Sequence, residues 1–109
     1  MSEAPIDAIG GSSIETDVRD GTTWIALSGE IDAGATAVLH ESAVTAERNG
    51  FPVMVDASAL TFMDSSGLAF LARLCARLPG LVSIRGLRPS VRFLLEVTQL
   101  DERITILDS

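Results

Sequence analysis

The central stretch of the chain, residues 53–68, reads VMVDASALTFMDSSGL. It begins with three apolar residues, a run that is typical of a strand covered on both faces or placed at the centre of a sheet. We expect this strand to leave through a loop held by Leu60 and Phe62 and then to turn sharply into a helix. The apolar stripe of that helix consists of Leu68, Leu71, Leu74, Cys75 and Leu78. The stretch therefore predicts a buried strand, a tight corner and an amphipathic helix.

The corner between this strand and helix consists of Asp64, Ser65, Ser66 and Gly67. The first three are residue types that cap helix N-termini, and a glycine leaves room for close approach in the first turn. Unpaired backbone N–H groups and the helix dipole favour negative charge here, so a phosphate on Ser65 would not melt the helix. The corner suits a reversible charge switch, although a helix cap alone explains the same three polar residues.

Two strands and a helix are predicted before the central stretch. The strands cover residues 14–18 and 22–28, on either side of an Asp-Gly pair that is typical of a hairpin turn. Asp32 is expected to cap a helix that runs to about Arg48 and ends at an Asn-Gly pair.

A further strand, helix and strand are predicted after the central stretch. They are a strand at residues 81–85, a helix opened by Pro89 and a last short strand at residues 104–107. A strand pair followed by alternating helices and strands predicts an α/β sandwich with a mixed sheet. Residues 1–13 are expected to be a flexible N-terminal tail, and residues 14–109 a single domain.

Composition limits the class of protein. The chain of 109 residues has the length of one ordinary domain, and its 47% apolar content is typical of a packed core. Its net charge of −7 opposes binding to a phosphate backbone, so nucleic acid is not an expected partner. The single cysteine, Cys75, fits a reducing compartment, and neither a secretory signal nor an apolar run of membrane-spanning length is recognisable. We therefore expect a cytoplasmic protein without membrane insertion.

The other polar residues predict no active site. His40 is the only histidine, and we expect it at the surface of a helix. Arg73 and Arg77 share a helix face that is expected to be solvated, with contact to an acidic partner as the alternative. Asp56 is expected to close a strand or to bind backbone N–H groups of a loop. Because no metal-site, nucleotide-site or hydrolase motif occurs, we expect neither catalysis nor a metal or other cofactor.

Three segments carry a family resemblance: GEID at residues 29–32, the central segment at residues 56–68, and PSVRFLL at residues 89–95. In this order they resemble the anti-sigma factor antagonists, which belong to the wider STAS domain family. The likeness covers roughly residues 14–107. It implies a STAS-like sandwich with a mixed four- to five-stranded β-sheet and about three helices packed mainly on one face.

The resemblance implies a bacterial regulatory protein that is not an enzyme. In the family, the serine after the aspartate of the Asp-Ser-Ser-Gly corner is phosphorylated by an anti-sigma factor that is itself a serine kinase, and here that serine is Ser65. The unphosphorylated antagonist binds the anti-sigma factor and releases the sigma factor, phosphorylation ends the binding, and a metal-dependent serine phosphatase restores it. The expected partners are that kinase and that phosphatase, and the protein is expected to be a monomer or a weak dimer.

The expected partner-binding residues are Asp32, Asp64, Ser65, Ser66 and Gly67. By resemblance, Asp32 lies in a loop beside the corner and contacts the kinase, with a helix cap as the open alternative. Asp64 either orients the Ser65 hydroxyl in the kinase complex or caps the helix. Ser66 is expected to be a structural residue of the first turn rather than a second phosphorylation site.

Two other functions compete with the antagonist. One is a STAS subunit of an ABC-type lipid transporter, or another non-catalytic regulatory STAS module. Such transporter subunits generally lack the Asp-Ser-Ser-Gly sequence, which favours the antagonist. The other is an enzyme with Ser65 as its nucleophile. It lacks a general base, because His40 belongs to a helix whose phase is unrelated to the corner.

Two features depart from the family pattern. The third helix of the family usually ends at a glycine before a leucine, and here the pair is Gln99-Leu100. If that position needs left-handed geometry, Gln99 destabilises the fold by roughly 1 kcal/mol or more. The sequence also ends at Ser109, where many members continue into a final helix, so we expect one face to be less covered.

Overall fold

The hairpin predicted near the N-terminus begins the sheet. In the computed structural model, which describes residues 12–107, β1 (Ser12–Arg19) pairs antiparallel with β2 (Thr22–Ile31). The Asp-Gly turn between them has φ angles of 52° and 76°, as a two-residue hairpin turn of this type requires. β1 starts slightly before the predicted residue 14, and residues 1–11 of the predicted tail lie outside the described residues.

Three α-helices alternate with the remaining strands. The order along the chain is α1 (Thr36–Asn49), β3 (Val53–Met63), α2 (Ser65–Arg77), β4 (Val82–Arg85), α3 (Pro89–Val97) and β5 (Thr105–Leu107). Short 3-10 turns at Ala33–Ala35 and Leu100–Glu102 precede α1 and β5. The sheet order is β1-β2-β3-β4-β5, and every pair after the first is parallel. The predicted α/β class with a mixed sheet is confirmed.

One face of the sheet is covered by the helices. Alternate residues of the three central strands are buried, and they include Ile25, Leu27, Val53, Val55, Val82 and Ile84. These side chains form one core with buried residues of the helices, among them Leu39 of α1, Leu71 of α2 and Leu95 of α3. Full burial of such a side chain contributes roughly 1.5–3 kcal/mol. The intervening residues, such as Met54 and Ser83, point to the other face and are only half-buried.

β3 is longer than predicted. It continues to Met63, so the loop expected around Leu60 and Phe62 was wrong. The pairing of β3 with β2 contains two register shifts, and such bulges break the two-residue alternation by which a strand is recognised in sequence. As a result Leu60 and Met63 are both buried, whereas Phe62 is half exposed.

Strain was predicted at Gln99 if this residue, shortly after α3, adopts a left-handed backbone, and the structure has this backbone there. The φ angle of Gln99 is 63°, in the left-handed region that favours glycine. The turn there directs Leu100 into the core. A residue with a Cβ in this region destabilises the fold by roughly 1 kcal/mol or more.

Candidate functional site

The corner between β3 and α2 lies at the edge of the sheet where the parallel strands end. The backbone N–H of Asp64 donates to the carbonyl oxygen of Ile31, the last residue of β2, at 3.1 Å. This bond continues the register, in which Ile31 pairs with Met63. Asp32 and Asp64 therefore each follow one member of a strand pair. The tertiary structure brings the loop after β2 beside the corner, as the resemblance implied.

Asp64 caps α2. Its backbone is extended, with φ −105° and ψ −162°, and its Oδ1 accepts from the N–H of Ser66 at 2.8 Å. The Asp64 carbonyl accepts from the N–H of Leu68 at 3.2 Å, which begins the helical hydrogen bonds. This is the geometry of an N-cap residue. Of the two roles that the sequence left open for Asp64, the structure shows the cap.

The two serines of the corner have different environments. Ser65 is the first residue of α2 and is exposed, and no residue within 12–107 forms a hydrogen bond with its hydroxyl. Ser66 is half-buried, and its backbone N–H is bound by Asp64. Ser66 is thus held in the first turn, as the sequence predicted, while the Ser65 hydroxyl is accessible.

Met63 occupies the space that a side chain at position 67 would need, so this position requires glycine. A Cβ added at Gly67 would overlap the Cγ atom of Met63 and lie 2.8 Å from its Sδ atom. Both residues are buried, so the methionine cannot move into solvent to make room. The close approach predicted for this glycine is therefore confirmed, and the tight corner depends on it.

Asp32 caps a 3-10 turn and not α1 itself. Its Oδ1 accepts from the N–H of Gly34 at 2.9 Å, and α1 begins only at Thr36. The predicted start of the helix at Asp32 was therefore early, because the turn at Ala33–Ala35 intervenes. The Asp32 carboxylate is exposed, as is that of Glu30 at the end of β2. Together with Asp64, these carboxylates give the surface around Ser65 an acidic character.

A groove of about 390 Å³ runs between α1 and α2, beside the corner. Its apolar lining comes from Leu39 and Ala43 of α1 and from Ala69 and Phe70 of α2. Ser65 and Ser66, the first two residues of α2, line it as well. We call this feature the α1–α2 groove.

Arg73 lies at the other end of the α1–α2 groove and ties the two helices together. Its Nε and Nη2 donate to the two carboxylate oxygens of Glu47, at 2.6 and 3.0 Å. This hydrogen-bonded guanidinium holds the pKa of Glu47 below its usual value of 4.5. The solvated face predicted for Arg73 and Arg77 is confirmed at Arg77, which is exposed, and was wrong at Arg73, which is half-buried and paired with Glu47. No local pattern could indicate this pair, because Glu47 is distant in sequence.

His40 lies on the surface of α1, as predicted, but it also lines the α1–α2 groove. The prediction that the phase of its helix is unrelated to the corner was wrong, because His40 and Ser65 line the same groove. Its Nδ1 is 2.9 Å from Nη1 of Arg73. Since a guanidinium can only donate, Nδ1 accepts and Nε2 carries the proton in the neutral ring. Within residues 12–107 no hydrogen bond joins this imidazole to Ser65.

Asp56 and Cys75 have structural surroundings. Asp56 lies within β3 and does not close it. Its Oδ1 accepts from the backbone N–H and the hydroxyl of Ser58, at 3.0 and 2.6 Å, and these bonds lower the pKa of Asp56. Cys75 is buried on the apolar stripe of α2, as predicted, and burial raises the pKa of its thiol. Within residues 12–107 no helix is long and apolar enough to cross a membrane, and no group of His, Cys, Asp and Glu could hold a metal ion.

The sequence, the fold and the corner lead to one family. A family model described as "Mlab, STAS domain" matches residues 14–108 of the chain. The chain belongs to the STAS domain family. The membership of the wider STAS domain family that the three sequence segments implied is thereby confirmed.

Solved structures share the fold of this STAS domain. An anti-sigma factor antagonist from Mycobacterium paratuberculosis matches with a TM-score of 0.77 and 24% identity, over 87% of this chain and 84% of that one. Unphosphorylated SpoIIAA, an anti-sigma factor antagonist, matches with a TM-score of 0.72 and 21% identity, over 89% of each chain. The phosphorylated form of the Bacillus cell fate determinant SpoIIAA matches with a TM-score of 0.71 and 22% identity, over 89% of this chain and 91% of that one. Comparison with curated protein sequences finds no match.

Proposed function

We propose that this STAS domain is a bacterial, cytoplasmic anti-sigma factor antagonist that works by switching partners. Its unphosphorylated form binds a serine-kinase anti-sigma factor, which then releases its sigma factor. Phosphorylation of Ser65 by that kinase ends the binding, and a metal-dependent serine phosphatase restores it. In this proposal the domain is a substrate and a ligand, and it carries no active site of its own.

The observation that carries the proposal is the environment of the Ser65 hydroxyl. A kinase must bring the hydroxyl into line with the transferred phosphoryl group, so the acceptor has to be accessible. Ser65 is exposed at the start of α2, and no residue in the described range binds its side chain. Ser66 is a poorer acceptor because it is half-buried, although Asp64 binds only its backbone N–H and not its hydroxyl.

A phosphate at Ser65 would be compatible with the fold. It adds a charge of about −1.5 to −2 beside the unpaired N–H groups at the start of α2, where the helix dipole favours an anion. The chain matches the unphosphorylated and phosphorylated SpoIIAA structures about equally well, with TM-scores of 0.72 and 0.71. Both points support a switch in which the domain keeps its structure.

The loss of binding then arises at the partner surface. We assign that surface to Asp32, Asp64, Ser65 and Ser66. Gly67, which was expected to belong to it, is buried and shapes the corner from within. An unphosphorylated serine can be covered by the kinase at little cost. A phosphate in the same place would lose its water and displace partner atoms that pack against the hydroxyl. The domain would therefore leave the complex without unfolding.

The test measures phosphorylation and binding with purified proteins. Each serine-kinase anti-sigma factor encoded by the source organism is incubated with the domain and ATP, and the modified residue is mapped by mass spectrometry. We expect phosphate on Ser65, none on Ser65→Ala, and retained binding of Ser65→Ala to the same kinase. Ser65→Asp should weaken the binding with little change in melting temperature, and only in part, because it adds one charge and less bulk than phosphate. Phosphate found mainly on Ser66, or a domain that unfolds on phosphorylation, would contradict the proposal.

A STAS subunit of an ABC-type lipid transporter is the second candidate. The observation that favours it is the description of the matching family model as Mlab, STAS domain. The accessible Ser65 in the Asp-Ser-Ser-Gly corner favours the antagonist. Tight binding to a purified transporter ATPase, with no phosphorylation by any anti-sigma factor kinase, would support the second candidate.

A further inference from the structure

The α1–α2 groove begins at the residue that the proposed function assigns to the kinase. Ser65 is one of its lining residues, and the apolar side chains of Leu39, Ala69 and Phe70 continue from it. A kinase has to place the transferred phosphoryl group within about 3–3.5 Å of the Ser65 oxygen. Specific protein interfaces cover about 800 Å² on each partner, far more than one serine side chain. The groove therefore falls within the area that a bound kinase covers.

We infer that the α1–α2 groove receives an apolar side chain of the kinase, flanked by a carboxylate that binds Arg73. This inference rests on the proposed function. It predicts an apolar side chain and a carboxylate on the part of the kinase that faces the groove. The part that faces the adjoining corner is expected to be basic instead.

The apolar part of the inference follows from packing. Interface cores pack as densely as protein interiors, and an apolar groove left empty beneath a partner would forfeit those contacts. Leu39, Ala43, Ala69 and Phe70 form the apolar part of the groove lining, and a volume of about 390 Å³ is large enough for a leucine or phenylalanine side chain. The polar part is formed by Thr36, His40, Ser65, Ser66 and Arg73. Ala69 is exposed, so an entering side chain meets no barrier there.

The carboxylate expected on the kinase is inferred from the hydrogen-bond donors at the far end of the groove. Arg73 has five N–H donors, and the bonds to Glu47 and His40 use only part of them. Both oxygens of Glu47 already accept from Arg73. His40 accepts through Nδ1, so its Nε2–H is also a donor. This end of the groove thus offers donors to an acceptor, whereas Glu30 and Asp32 near the corner call for a basic partner residue.

Ala69 provides the test, with Ala76 as its matched control. Both alanines are exposed and occupy nearly the same helical phase of α2, but Ala76 does not line the groove. The probe is the purified anti-sigma factor kinase that phosphorylates Ser65 of the native domain. With Ala69→Trp filling the groove, we expect kcat/KM for Ser65 phosphorylation to fall about tenfold and binding to weaken similarly. Ala76→Trp should change neither by more than about twofold.

A second pair of variants tests the carboxylate and does not depend on bulk. Ala69→Glu should weaken binding more than Ala69→Gln, because the two side chains have nearly the same shape and only the first repels an acidic partner group. Thermal unfolding of all four variants checks that the domain is folded. The groove inference is wrong if the variants at residue 69 behave like Ala76→Trp, or if Ala69→Glu and Ala69→Gln weaken binding equally. In either case the proposed function stands as long as Ser65 of the native domain is phosphorylated. If no kinase modifies Ser65 of the native domain, both are wrong.

Discussion

Two aspartates at the same edge of the sheet cap the segments that follow them in the same way, but only one of these segments presents a serine at its first position. Asp32 and Asp64 follow the paired residues Ile31 and Met63, and each accepts from the backbone N–H two positions later, at 2.9 and 2.8 Å. After Asp64 the chain enters α2 at once and presents Ser65 as its first residue. After Asp32 it makes a 3-10 turn that begins with an alanine. The cap supplies the geometry, and the residue that follows it decides whether the site can accept a phosphate.

The largest change in stability is expected when the glycine of the α2 corner is replaced. Gly67→Ala should destabilise the domain by about 1–2 kcal/mol, since the new Cβ overlaps buried Met63 and the gain in helix propensity offsets only part of this. Gly34→Ala is the matched control in the Asp32 turn, where a Cβ would lie 3.2 Å from Oδ1 of Asp32. It should change the free energy of unfolding by less than about 0.5 kcal/mol. Urea denaturation measures both.

A double-mutant cycle would sharpen this test. If Met63 causes the clash, Gly67→Ala should destabilise a Met63→Ala background much less than it destabilises the native domain. Equal effects in the two backgrounds would show that the glycine matters for another reason.

The two caps should differ in their contribution to stability. Asp64→Ala leaves an N–H group in the first turn of α2 without its partner and should destabilise the domain by about 1 kcal/mol. Asp32→Ala should have a smaller effect, because its carboxylate is exposed and caps a three-residue turn instead of a helix. Asp64→Ser, which retains a capping oxygen, serves as the control and should recover most of the loss. Equal losses at the two aspartates would contradict the distinction between the corners.

The Glu47–Arg73 pair, which joins α1 to α2, predicts that the stability of the domain depends on pH. Arg73 lowers the pKa of Glu47, so the stabilisation by this pair is complete above the usual pKa of 4.5 and is lost as the pH falls through the lowered folded-state value. Glu47→Gln should lower the melting temperature at pH 7, and the difference from the native domain should shrink at pH values below 4.5. Glu41→Gln, at an exposed position of the same helix, is the control. A difference that stays constant with pH would exclude an ionic contribution.

The smallest effect is expected far from both caps, at Gln99. Gln99→Gly relieves the left-handed strain but increases the freedom of the unfolded chain, so a net stabilisation of about 0.5 kcal/mol is expected. Gln99→Ala keeps a Cβ and should show no such gain. The free energies of unfolding from chemical denaturation compare the three proteins, and a destabilised glycine variant would contradict the assigned strain.

The elements that the sequence predicted well are those defined by near neighbours. The amphipathic stripe of α2 depends on near neighbours, so it could be identified without a structure. The same holds for the hairpin turn before β2. Asp64 could likewise be recognised as one of three capping residue types at the corner, although its role was left open. The predictions that failed involve longer or irregular patterns. β3 continues to Met63 because bulges in its pairing with β2 interrupt the alternation, and Asp32 precedes a 3-10 turn whose short span has little sequence signature.

The sequence by itself thus determined the class of fold, the family resemblance and the position of Ser65 at the start of a helix. The tertiary structure alone decided what surrounds that position. It joined Arg73 of α2 to Glu47 and His40 of α1, and it supplied the pairing of β2 with β3 that holds Asp32 where the family resemblance implied it to be. Local periodicity and capping cannot encode such contacts, because they arise only when the helices pack on a common sheet and bring residues that are distant in the chain within hydrogen-bond reach.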